Sequence, residues 1–92
     1  MTGTYQVTVD GQAGPAKAVR VWSVVVKSDT TAAVVSLKNG TSTGGTEYDQ
    51  IDGTISKAVV RSYEGGLVFP AGCFVDLDAH TTYVTVSLEV IG

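Results

Sequence analysis

The sequence predicts an all-β domain: an antiparallel β-sandwich of about eight short strands with jelly-roll-like topology. Three observations lead there. Valine and threonine account for 16 and 12 of the 92 residues, and β-branched side chains pack well on a pleated surface but lose χ1 freedom against a helical turn. Turn signals recur at roughly 8–12-residue spacing, as in sandwiches, jelly rolls and small barrels. No stretch carries apolar residues at the i, i+3, i+4, i+7 spacing of an amphipathic helix.

The elements follow in order. Tyr5 to Val9 alternates and ends at Asp10-Gly11, a strong turn dipeptide. Gln12 to Ala16 contains Gly14-Pro15 and reads as a loop, so residues 1–16 form an N-terminal strand and flexible loop able to act as a contact arm. Residues 17–92 form the sandwich itself, within a single domain. Lys17 to Lys27 is the longest apolar run, Ser28 to Thr31 a turn, and Ala33 to Lys38 a strand ending at Asn39-Gly40. Thr41 to Gly45 is loop by composition, and Glu47 to Ile51 is a short strand before Asp52-Gly53. Thr54 to Tyr63 is a strand that Glu64-Gly65-Gly66 breaks. Leu67-Val68-Phe69 and Cys73 to Leu77 are joined by Pro70-Ala71-Gly72. The last strand, Tyr83 to Ile91, alternates cleanly, with Val84, Val86, Leu88 and Val90 on one face.

Composition narrows the function. Six Lys and Arg against nine Asp and Glu give a net charge of −3. Lys17, Arg20, Lys27, Lys38, Lys57 and Arg61 stand singly, whereas a nucleic-acid interface clusters its cations. No nucleic-acid partner is therefore expected. No run approaches the ~18 apolar residues of a membrane-spanning helix, and Met1 to Tyr5 lacks the basic and apolar regions of a signal peptide. Synthesis in the cytoplasm as a soluble chain is the expectation. Cys73 is the single cysteine, so an intramolecular disulfide is impossible.

One run departs from the half-buried pattern. In Lys17–Lys27 the odd positions include Val19, Val21 and Val25, and the even ones Ala18, Trp22, Val24 and Val26, so both faces are apolar. Three explanations stand open. A β-bulge near Ser23 would bring Val19, Val21, Val24 and Val26 to one face. The strand could instead lie under a loop, or its outer face could meet another copy of the chain. A domain under ~100 residues has little stability in hand, which favours association. Arg20, Trp22, Arg61 and Tyr63 are the candidate subunit-interface residues, since Arg and aromatics are enriched at interface cores.

Catalytic signatures are sparse. His80 is the single histidine, and Asp76-Leu77-Asp78 places two carboxylates on one strand face just before it, a weak divalent-cation pattern. Gly44-Gly45 and Gly65-Gly66 precede no helix, so they read as turns rather than phosphate cradles. Neither a catalytic set, a metal nor a cofactor is expected. Trp22 with Tyr5, Tyr48, Tyr63 and Tyr83 would make a sugar-stacking platform if several shared an exposed face.

Two stretches carry a resemblance. They are Ser36-Leu37-Lys38-Asn39-Gly40-Thr41-Ser42-Thr43-Gly44-Gly45-Thr46 and Gly65-Gly66-Leu67-Val68-Phe69-Pro70-Ala71-Gly72-Cys73-Phe74-Val75-Asp76-Leu77, followed by the Val84-Thr85-Val86 strand. The chain resembles small β-sandwich virion proteins of tailed bacteriophages, most of all the capsid decoration (cement) proteins. That resemblance implies a homotrimer on the outer capsid surface of the virion, with the major capsid protein as partner. A phage tail, neck or fibre component, or a carbohydrate-binding adhesion module, is the alternative.

Overall fold

The computed structural model describes residues 2–92; Met1, which begins the expected contact arm, lies outside them. The strands are β1 (Thr2–Val7), β2 (Gly11–Ala13), β3 (Val19–Ser28), β4 (Val34–Asn39), β5 (Thr46–Asp52), β6 (Ala58–Phe69), β7 (Cys73–Leu77) and β8 (Thr81–Val90). They form two antiparallel four-stranded sheets, ordered β1-β8-β3-β6 and β2-β7-β4-β5. Nearly every connection crosses from one sheet to the other, and β4–β5 alone is a hairpin within its sheet. This is the jelly-roll order. The expected sandwich of eight strands is therefore what the chain forms.

The core lies between the sheets. Phe69, Leu37, Ile51, Leu88 and eight valines from both sheets are fully buried there. Strand β3 is central, paired with β8 on one side and β6 on the other. Its register shifts between Val21 and Ser23 against both neighbours, leaving Trp22 unopposed as a β-bulge. The bulge turns Val19, Val21, Val24 and Val26 all inward at 0% exposure, while Trp22 stands out at 38%. Of the three explanations for the two-sided apolar run, the bulge accounts for these four valines.

Strand β6 carries the matching irregularity. Val21 lies opposite Leu67 and Ser23 opposite Ser62, so Tyr63-Glu64-Gly65-Gly66 bows out against Trp22 alone. The expected break at Glu64-Gly65-Gly66 is thus a bulge inside one long strand. Gly65 and Gly66 have φ of 76° and 81°, which L side chains rarely adopt, and a Cβ on Gly66 would run into Arg20 Cγ and Cδ.

Other expectations shift for a common reason. The first strand ends at Val7 rather than Val9, because after Val7, opposite Val84, the chain leaves one sheet for the other. Val9 is left 73% exposed. Gly11–Ala13, expected as the end of a turn and the start of a loop, is an edge strand on β7. Residues 2–13 therefore belong to both sheets, and Val7 and Ala13 lie in the core. Thr54 to Lys57, expected as the start of a strand, make the crossing to β6, with the Lys57 amide donating to Thr54 O at 3.0 Å.

The bulge yields a parity test. Deleting Trp22 leaves Val19, Val21, Val24 and Val26 on one face by simple alternation, so the chain should still fold. Deleting Val25 from the regular part turns Val26 outward and Lys27 inward. Far-UV circular dichroism and thermal unfolding should show a cooperative transition for the first deletion and none for the second.

Candidate functional site

Strands β5 and β6 are the edges of opposite sheets at one side of the sandwich, where the core would otherwise open to water. Asp49 on β5 closes that side. Its Oδ2 accepts hydrogen bonds from Tyr63 Oη at 2.6 Å and Arg61 Nη1 at 2.8 Å, both from β6. Arg61 lies in register with buried Val24, so it points inward at the rim. Burial, then the bond to Asp49, raises the Tyr63 hydroxyl well above the ordinary tyrosine range, so it remains a donor. Beside this clasp the β5 register slips between Leu37 and Lys38, leaving Tyr48 unopposed. Tyr48 stacks on Phe69 with ring centroids 5.1 Å apart. Inward charges and bulges at edge strands also discourage pairing with other chains.

The four candidate interface residues separate into two places. Arg61 and Tyr63 belong to the Asp49 clasp. Arg20 and Trp22 sit on the outer face of the β1-β8-β3-β6 sheet, with the Arg20 guanidinium carbon 5.7 Å from the Trp22 ring centroid. Arg20 Nη1 lies 3.5 Å from Glu89 Oε1, and its Nε is covered without a hydrogen-bond partner. Trp22 is thus under a cation, Tyr48 against Phe69, Tyr63 bonded to Asp49, and Tyr5 packed on the core. These aromatics do not form one exposed row.

The Asp76, Asp78 and His80 group also comes apart. Asp76 pairs with Lys38 at 3.1 Å on the outer face of the second sheet. Asp78, beyond the end of β7, accepts from the amides of Val34 at 2.9 Å and His80 at 3.0 Å and from Thr81 Oγ1 at 2.9 Å. His80 Nδ1 lies 3.5 Å from Asp29. Among the described residues no three His, Cys, Asp or Glu side chains are grouped to hold a metal ion. Slight burial acts to raise the Asp78 pKa, but the bonds from Val34, Thr81 and His80 override it and hold the carboxyl below its ordinary value. Cys73 is fully buried, and burial pushes its thiol up to about 12. It is a small core residue.

The two stretches that carry the resemblance meet at one end of the sandwich. Asn39 Oδ1 accepts from the Ala71 amide at 2.8 Å, and the Gly40 amide donates to Gly72 O at 3.0 Å. Gln12 Nε2 donates to Gly40 O at 3.0 Å, tying in β2. Gly72 has φ of 103°, and a Cβ there would meet Gln12 Nε2 at 2.6 Å. Sequence reasoning missed Asp49, Gln12 and Asp78 as braces. Asp49 did leave a signal, since it shares its strand face with buried Ile51 and an inward acid calls for a partner.

Comparison with family models, curated proteins and solved structures finds no match to this chain.

Three outcomes follow from these braces. In urea unfolding, Tyr63→Phe should cost about 1.5 kcal/mol, the low end for a bond to a charged group at a half-open site. Asp49→Ala, which strands both partners, should cost more. Asp78 supplies stability that is present above the ordinary aspartate range of about 4 and is lost as pH falls through its lowered folded value. Asp78→Asn should therefore flatten part of the fall in melting temperature on acidification below about pH 4. Cys73 should react with a thiol reagent at the rate of global unfolding, and denaturant should accelerate labelling and unfolding together.

Proposed function

We propose that this chain is a non-enzymatic structural virion protein, a capsid decoration protein on the outer surface of a phage head. It binds neighbouring major capsid subunits and holds them together, acting as a homotrimer. The observation that carries this reading is how the chain uses its polar side chains. Asp49, Arg61, Tyr63, Asp78, Asn39 and Gln12 each brace one strand or corner against another. Such bracing suits a rigid module that works by contact. A fold of this kind hosts many functions, though jelly rolls recur in viral capsid and lectin domains. The resemblance of residues 36–46 and 65–77 selects the virion role among them.

The energetic logic fits a small domain. A chain of this size offers one capsid subunit only a modest contact area, but a trimer engaging several subunits converts weak contacts into avid binding through effective concentration. Repeated over a shell, such clamps oppose the separation of neighbouring subunits.

The test is co-sedimentation with expanded tailed-phage heads stripped of their own decoration protein. The chain should pellet with the heads to a saturable stoichiometry and raise the temperature at which they rupture. A folded chain that stays in the supernatant at saturating concentration overturns the proposal. Binding to purified tails instead would move the protein to the tail.

A further inference from the structure

Asn39 is the single asparagine of the chain, and Gly40 follows it. An asparagine before a glycine carries its own reagent. The glycine backbone nitrogen loses its proton, attacks the asparagine Cγ, closes a five-membered succinimide and expels ammonia. Glycine favours this attack because it has no Cβ to shield its nitrogen. Water then opens the ring on either side. One opening gives aspartate. The other gives isoaspartate, whose main chain runs through Cγ and is one carbon longer.

In this fold both reacting groups are held by one corner. The Gly40 amide, the nucleophile, donates to Gly72 O at 3.0 Å. Asn39 Oδ1, on the carbon to be attacked, accepts from the Ala71 amide at 2.8 Å. Gln12 Nε2 donates to Gly40 O at 3.0 Å and ties the same residue to β2. Asn39 is also paired on both sides, with Cys73 of β7 and Thr46 of β5. Attack requires the Gly40 proton to leave its bond to Gly72, and the tether to Ala71 resists the swing of Cγ onto the Gly40 nitrogen. Cys73, beside this corner, is fully buried, so opening here disturbs the core and costs free energy.

We propose that Asn39 is a modification site gated by this corner. It deamidates only when the Pro70–Gly72 turn lifts from Asn39-Gly40, and the isoaspartate formed then keeps the corner from closing. The step consumes one water and releases one ammonia, with no oxidant or enzyme. Its two products differ in consequence. Aspartate at position 39 leaves the backbone unchanged and can still accept from the Ala71 amide. Isoaspartate adds about 1.5 Å of main chain between a residue fixed opposite Cys73 and an amide that must meet Gly72 O. The other side gives no slack, because a Cβ on Gly45 would lie 2.5 Å from Asn39 O. Isoaspartate formation is therefore one-way, and it frees the end of the sandwich where β2, β4 and β7 meet. The inference is independent of the virion reading.

Intact-mass spectrometry of the full chain, incubated at mildly alkaline pH, tests the gate through the mass gained as the amide becomes an acid. Isomerisation at Asp10-Gly11 or Asp52-Gly53 changes no mass, and Asn39→Asp supplies the background from glutamines. The folded chain should deamidate at least tenfold more slowly than the same chain in denaturing guanidinium. In sub-denaturing guanidinium, and in Gln12→Ala, deamidation should rise in proportion to hydrogen exchange at the Gly40 amide. After ageing, the aspartate product should melt with the Asn39→Asp variant, and the isoaspartate product should melt lower with its Gly40 amide unprotected. Equal rates in the folded and denatured chain overturn the inference. So does deamidation that stays constant while Gly40 exchange rises, or an isoaspartate product whose Gly40 amide is protected as in wild type.

Discussion

The structure depends on one extra residue in its central strand. Trp22 is unopposed in β3, and that offset lets Val21 and Val24, three apart, both face the core. Strand β3 is hydrogen-bonded on both sides, so its parity is shared with β8 and β6 and, through β8, with β1. Buried Val84, Val86 and Leu88 on β8 lie in register with Val26, Val24 and Val21. A one-residue slip would carry an entire half of β3 to the wrong face. On the β6 side Trp22 faces the four-residue Tyr63–Gly66 bow, where Gly66 lies against Arg20.

A two-layer sandwich leaves edges, and this chain closes them with side chains. Asp49 links β5 to β6 across the gap between the sheets, and Tyr48 on Phe69 reinforces the same side. At another place Asn39, Gly40, Gln12 and the Ala71-Gly72 corner hold β2, β4 and β7 together. The polar residues are thus spent on shape. That links the fold to the functional reading, because a module that clamps larger subunits must transmit load without opening.

Much of the site was hidden in the sequence for one physical reason. Asp49 and Tyr63 are separated by a strand end, a crossover and half of β6, and only the jelly-roll crossing brings them within 2.6 Å. Arg61 and Tyr63 were legible as candidate interface residues, and within the chain the structure bonds both to Asp49. Asp76 and Asp78 look alike in sequence, yet β7 ends at Leu77 between them, so one remains on a sheet face and the other turns to hold β4.

By itself the sequence determined the all-β class, the approximate strands and the identity of most core residues. These are local properties: β-branched composition, two-residue periodicity and turn chemistry act within a few residues of chain. It also contained the parity conflict in Lys17–Lys27, and so the demand for a bulge, a loop or a partner. Only the tertiary structure showed the bulge, because a bulge is defined by what stands opposite it. The same holds for the limits of β1, the strand status of Gly11–Ala13 and the continuity of β6. Each is a matter of pairing with residues far away in the chain, and local pattern carries no information about where the other strand will lie.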